Sequence, residues 1–178
     1  MIDIGLIGDL YVFVLAGFLG YQVISRVSPP GARVGRTVTL TGADFAGANS
    51  VTFRGVEASF QVVSDTQITA KVPDGALSGP ITVTTPSLGT GTSSFDFRVE
   101  PSIEGFSPRS GPVGTTVVIT GFAFTGAIVV KFHGVAATFR VNSYHQITAI
   151  VPAGATTGRI TVVTLGGSVR SRHSFVVT

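Results

Sequence analysis

Chemistry in a chain of 178 residues must come from a few side chains brought together, so the reactive residue types are read first. Three histidines occur, His133, His145 and His173, all in the C-terminal half. A metal centre needs two or three of them to converge with a carboxylate, and Glu104 is the one acid of residues 101–178. They read as separate surface or turn residues. Asp44, Glu57, Asp65, Asp74 and Asp96 fall in turns or on strand faces and offer no carboxylate pair for acid–base work. Calcium, which takes oxygen ligands, has only Asp44 or Asp65 to start from. No serine stands in a GxSxG nucleophile elbow. The stretch SLGTGTSS, Ser87 to Ser94, lacks the Lys and the strand–helix setting of a phosphate loop and reads as a hairpin loop. Cysteine is absent, which removes disulfides and thiolate sites. No catalytic, metal or cofactor-binding residue is assigned, and the expectation is a protein that is not an enzyme.

Binding residues are a different matter. The net charge of +3 is too small to announce a nucleic-acid partner. Its distribution is uneven, however. Residues 24–100 are neutral, whereas residues 101–178 carry Arg109, Lys131, Arg140, Arg159, Arg170 and Arg172 against Glu104. That half leans toward an anionic partner, or it is a solvated face that lacks acids.

The elements that would position these residues come from a repeat of period 79. VTFRGVEASFQV from Val51 meets VKFHGVAATFRV from Val130, and Gln67-Ile68-Thr69-Ala70 meets Gln146-Ile147-Thr148-Ala149. Gly42, Phe45, Pro73 and Gly79 meet Gly121, Phe124, Pro152 and Gly158. About half of the aligned positions are identical, and near the end the second copy is one residue shorter. Apolar and polar residues alternate at the strand period of two. Strands are expected at 24–27, 37–41, 50–53, 58–63, 67–72, 80–85 and 94–99, with Gly55 and Gly134 in hairpin turns and Asp65 capping its own turn. Seven short strands with closely spaced turns describe an immunoglobulin-like sandwich. Phe45, Phe53, Phe60, Phe124, Phe132 and Phe139 recur at equivalent positions and are expected in the core, not in a stacking platform. Phe122 and Tyr144 replace Ala43 and Asp65 of the first copy. These two copy-specific aromatics, with Lys131, Arg140, Arg170 and Arg172, are the candidate binding surface, turn packing being the competing role of the aromatics.

Ahead of the repeat, residues 10–25 read LYVFVLAGFLGYQVIS without a charge. As a helix this run covers about 24 Å, slightly less than a hydrocarbon core of ~30 Å. Leu10, Tyr11, Phe13, Val14, Leu15, Phe18, Leu19 and Tyr21 are the residues expected to contact a membrane or a bundle of like helices. Packing on the sandwiches is a third role, disfavoured because the run is apolar all round. Arg26, Arg33 and Arg36 after the run, with Asp3 and Asp9 before it, would place the repeat on the cytoplasmic side by the positive-inside rule. The start MID has no basic region and no small-x-small site follows, so a cleaved signal is not expected. The fold class expected is mainly β: one apolar N-terminal α-helix (1–25), then two tandem seven-stranded sandwiches (24–100 and 101–178).

Two resemblances attach to these residues. GxxFxGA at 42–48 and 121–127, FRGV and FHGV, SDTQITAKVPDGA and SYHQITAIVPAGA, then GPITV and GRITV, resemble IPT/TIG domains across residues 24–178. The resemblance implies an early-set immunoglobulin fold acting as spacer, dimerisation surface or binding platform, in cell-surface receptors, bacterial surface and polysaccharide-associated proteins, and some transcription factors. It transfers no catalytic residue. GDLYVFVLAGFLGYQVISRVSP, within about the first 29 residues, resembles the first transmembrane helix of the proton-translocating NAD(P) transhydrogenase alpha subunit. It stops before that family's next segment, so it implies a membrane-compatible helix and neither hydride transfer nor proton pumping.

Three functions compete. The leading one is a non-catalytic cell-surface structural or binding protein, membrane-anchored or extracellular, with two stiff modules and a protein or glycan partner. The second is a pilin-like filament subunit, a homo-oligomer with apolar helices inside and sandwiches outside. It resembles type IV pilins in outline only, having Gly5 where they carry Glu and no visible processing leader. The third is nucleic-acid binding through the basic second copy, which its lack of an aromatic platform disfavours.

Overall fold

Strand pairing organises the described residues. The computed structural model describes residues 23–178, and nineteen strands run through them. In the first unit these are β1 (Val23–Ser28), β2 (Gly31–Ala32), β3 (Thr37–Ala43), β4 (Ser50–Phe53), β5 (Val56–Glu57), β6 (Phe60–Ser64), β7 (Gln67–Lys71), β8 (Ile81–Thr85), β9 (Gly89–Thr92) and β10 (Arg98–Val99). The second holds β11 (Ser102–Ser107), β12 (Ser110–Gly111), β13 (Thr116–Phe122), β14 (Ala127–Phe132), β15 (Val135–Ala137), β16 (Phe139–Ser143), β17 (Gln146–Ile150), β18 (Gly158–Thr164) and β19 (Gly167–Val177).

Each unit packs two sheets face to face. One is ordered β1-β3-β7-β6 and, in the second unit, β11-β13-β17-β16. Opposite lie β5-β4-β8-β9, with β10 pairing parallel to β2, and in the second unit β12-β19-β18-β14-β15. Period-two alternation drives the packing: in β3, Val38 and Leu40 are buried while Thr37 and Thr41 face water. Phe45, Phe53, Phe124 and Phe132 are fully buried, and Phe60 and Phe139 pack half-buried against the same cores. Phe53 meets Phe97 edge-on at 5.1 Å, and Phe132 meets Phe175 likewise at 5.3 Å. Such pairs add about 0.5–1.5 kcal/mol to area burial.

Four expectations are corrected. The described residues are all β, and among them no helix is long and apolar enough to cross a membrane. The expected helix, with its contact residues Leu10, Tyr11, Phe13, Val14, Leu15, Phe18, Leu19 and Tyr21, lies outside the described residues. Its proposed last residues, Val23, Ile24 and Ser25, belong to β1, where Val23 and Ile24 pair with Ala43 and Gly42 and Ile24 enters the core. The strand count is also higher than seven per copy. Short ladders such as β2–β10 form where the chain crosses between sheets, and the brief β5 and β15 pair with β4 and β14. SLGTGTSS is only partly loop, because Gly89–Thr92 is β9, with Thr90 opposite Thr84 and Thr92 opposite Thr82. Finally, Asp65 does not cap its own turn. Its Oδ1 accepts from the Ala46 N–H (3.0 Å), while Ser64 Oγ accepts from Thr66 N–H and ties the turn.

The missing residue of the second copy is a turn residue. Thr85 pairs with Gly89 around a three-residue turn, and Thr164 pairs with Gly167 around a two-residue turn. β19 then runs unbroken where the first copy has β9 and β10.

Candidate functional site

Two places depart from the repeat: the junction of the units and the outer sheet face of the second. At the junction only Glu100 and a buried Pro101 separate β10 from β11. The β16–β17 turn reaches back to the first unit. Tyr144 Oη donates to the Ala76 carbonyl (2.9 Å), and its ring packs against the first unit's core, which the buried Ala123 also joins. His145 Nε2 lies 2.8 Å from Asp74 Oδ1, and its ring is edge-on to both Phe122 (5.1 Å) and Tyr144 (5.0 Å). Both partners of the His–Asp pair are about half exposed, so its contribution is small. The Tyr144 hydroxyl is pushed up to about 12, first by burial and then by the negative charge of Asp74. Beside it the β18–β19 turn at Leu165 and Gly166 sits against Val99 and Ser78, bordering a cavity of about 260 Å³.

The outer face is set by register. In the first copy Thr52, Thr82 and Thr92 lie opposite one another across β4, β8 and β9, and the Thr52 and Thr82 hydroxyls are 2.6 Å apart. The equivalent row of the second copy is Lys131, Thr161 and Arg170 across β14, β18 and β19. Arg159, opposite Ser174, lies two residues before Thr161 on the same strand. With His133 and Ser168 these residues line an open depression of about 820 Å³. His133 is not free there. It occupies the positive-φ turn position of Arg54, its ring lies over Gly158, and its Nδ1 is 2.8 Å from Thr156 Oγ1.

The candidates therefore separate. Lys131 and Arg170 come together; Phe122 and Tyr144 lie at the junction. Arg140 is exposed on β16, in the opposite sheet. Arg172 lines a neighbouring depression with Arg33, Glu104 and Arg170. Arg109 stacks over Phe106, its guanidinium carbon 5.4 Å from the ring centre. His173 is exposed, and its carbonyl accepts from the buried Ser171. The candidate set omitted Arg159 and Asp74, although each departs from the repeat, which has Pro80 and Ala153 at the matching positions. Among the described residues no three His, Asp or Glu gather to hold a metal ion.

The two units are immunoglobulin-like sandwiches joined by a side-chain junction, the second with one basic face. The IPT/TIG domain model matches residues 23–99 and again 101–176, and the chain belongs to that family. Among solved structures it is similar to the surface glycan-binding protein PbSGBP-B of Prevotella bryantii, at 20% identity and a TM-score of 0.53, over 88% of this chain and 42% of that one. It is also similar to the extracellular region of plexin A4, at 21% identity and TM-score 0.43, over 88% and 18%. An SGBP-B from a complex xyloglucan utilization locus in Bacteroides uniformis aligns at 20% identity and TM-score 0.41, over 87% and 49%. The chain spans less than half the length of each of these structures. No curated protein matches it.

Proposed function

We propose that this chain is a non-catalytic cell-surface binding protein in which the first module is a spacer that fixes the orientation of the second. The observation that carries this reading is the junction, where Tyr144 and His145 reach Ala76 and Asp74 across a two-residue connection. A connection without a flexible linker presents a surface at a set angle. Similarity in fold to a surface glycan-binding protein supports a glycan or protein partner and a place outside the cell. Attachment falls to the apolar residues 10–22, which precede the first strand.

The test is made on intact cells. Added protease should remove the chain, shear should leave it with the membrane, and detergent should release it as a monomer. Survival of the chain until lysis overturns the surface location. Release by shear as long fibres overturns simple anchoring and substitutes a filament subunit.

A further inference from the structure

We infer that the outer face of the second module, centred on Lys131, Thr161 and Arg170, binds an extended polysaccharide carrying carboxylate or sulfate groups. The inference rests on the binding-module reading and assigns the ligand class to one face of it. Strand pairing carries the argument. Lys131 and Arg170 flank Thr161 on neighbouring strands, so their Cα atoms stand roughly 10 Å apart, the scale of a disaccharide. Arg159 lies two positions along β18 from Thr161, so the three cations form a triangle over the sheet. Thr161, Ser168, Ser174 and Thr157 place hydroxyls around them, able to bond sugar hydroxyls.

The cations have no internal employment. Among the described residues the sole ion pair is His145–Asp74, so no carboxylate pairs with Lys131, Arg159 or Arg170, Glu104 bordering only the neighbouring depression that Arg170 also lines. The fold does not require them either, because the first copy builds the same row from Thr52, Thr82 and Thr92. Charges substituted into a threonine ladder and left unpaired raise the local potential and attract a ligand of opposite sign.

The remaining features select among anions. No Phe, Tyr or Trp lines the face, and the imidazole of His133 is held against Gly158 and Thr156, so bases lack a stacking platform. Nor does it offer a large apolar anchor of the kind that dominates protein interfaces. A shallow, hydroxyl-rich surface with spaced cations suits an anionic sugar chain.

The experiment is a low-salt binding titration of the full chain. The ligands are polygalacturonate for carboxylate, dextran sulfate for sulfate, neutral dextran, and single-stranded DNA. The double variant Lys131→Thr/Arg170→Thr restores the first copy's ladder and should fold; circular dichroism checks this. Binding to one or both anionic glycans is expected, weakening as salt rises, with about a tenfold loss or more in the double variant. A preference between the two names the anionic group. Arg36→Ser, on the exposed surface of the first module, should bind as the parent does. The inference is overturned by equal binding to neutral dextran, by tighter binding to DNA, by no binding to either anionic glycan, or by an unaffected double variant. Each of those results leaves the cell-surface reading standing, since that depends on protease and shear.

Discussion

Two buried serines show how closely single residues are specified. Ser171 Oγ accepts from the Ile160 N–H (3.0 Å) and donates to the His173 carbonyl (2.6 Å). Ser93 does the same for Ile81 and Phe95 at 3.0 and 2.7 Å. In the second copy this hydroxyl stands where the register shifts between Arg159 and Thr161, and in the first it fills the gap between the β8–β9 ladder and the isolated Gly79–Phe97 bridge. Ser171→Ala leaves a buried N–H without an acceptor, which costs about 1–3 kcal/mol. We expect a lower denaturation midpoint at unchanged m-value, read by urea unfolding. An unchanged midpoint would refute the bridging role. These serines were not legible beforehand, because one serine among many looks alike until the register of its strand is known. The phenylalanines were legible, since recurrence at one period marks fold positions, and Phe45, Phe53, Phe124 and Phe132 are buried as that logic requires.

At the scale of elements, the pairing of the first strand in each unit depends on a glycine. A Cβ on Gly121 would run into the Ser102 carbonyl oxygen and the Phe124 ring, and Gly42 stands equally tight against Val23 and Phe45. Backbone lies on one side and a fully buried ring on the other, so nothing flexible can yield. Gly121→Ala should displace β11 from β13 and destabilise the second unit by about 2 kcal/mol or more. Hydrogen exchange should show the loss concentrated in the pairing of Ile103 with Gly121, and undiminished protection there would contradict the account. The GxxFxGA spacing already marked both glycines. β9 escaped notice for a physical reason: Gly89-Thr90-Gly91-Thr92 has no apolar side chain to alternate, so only its pairing with β8 makes it a strand. Lys131 and Arg170 stood out by charge, but their shared face depends on which strand each pairs with, a long-range fact that local pattern does not contain.

For the whole molecule, departures from the repeat are where the two copies take different work. Phe122, Tyr144 and His145, with Asp74 opposite, hold the modules together, while Lys131, Arg159 and Arg170 charge one face. Tyr144 makes the first group testable by pH. Free of the junction its hydroxyl titrates near 10; docked, it is held at about 12. The docked state therefore binds that proton more tightly. Its contribution is complete below pH 10 and is lost as pH rises through 12. We expect the modules to reorient over that window, followed by small-angle scattering alongside phenolate absorbance. Tyr144→Phe keeps the ring and removes the bond to Ala76. It should weaken docking by about 0.5–1.5 kcal/mol at neutral pH and abolish the alkaline reorientation, since the variant has no proton to lose there. Reorientation at the same pH in the variant would assign the transition to other groups, and a junction indifferent to both pH and substitution would mean that Pro101 and the Leu165 turn suffice to hold it.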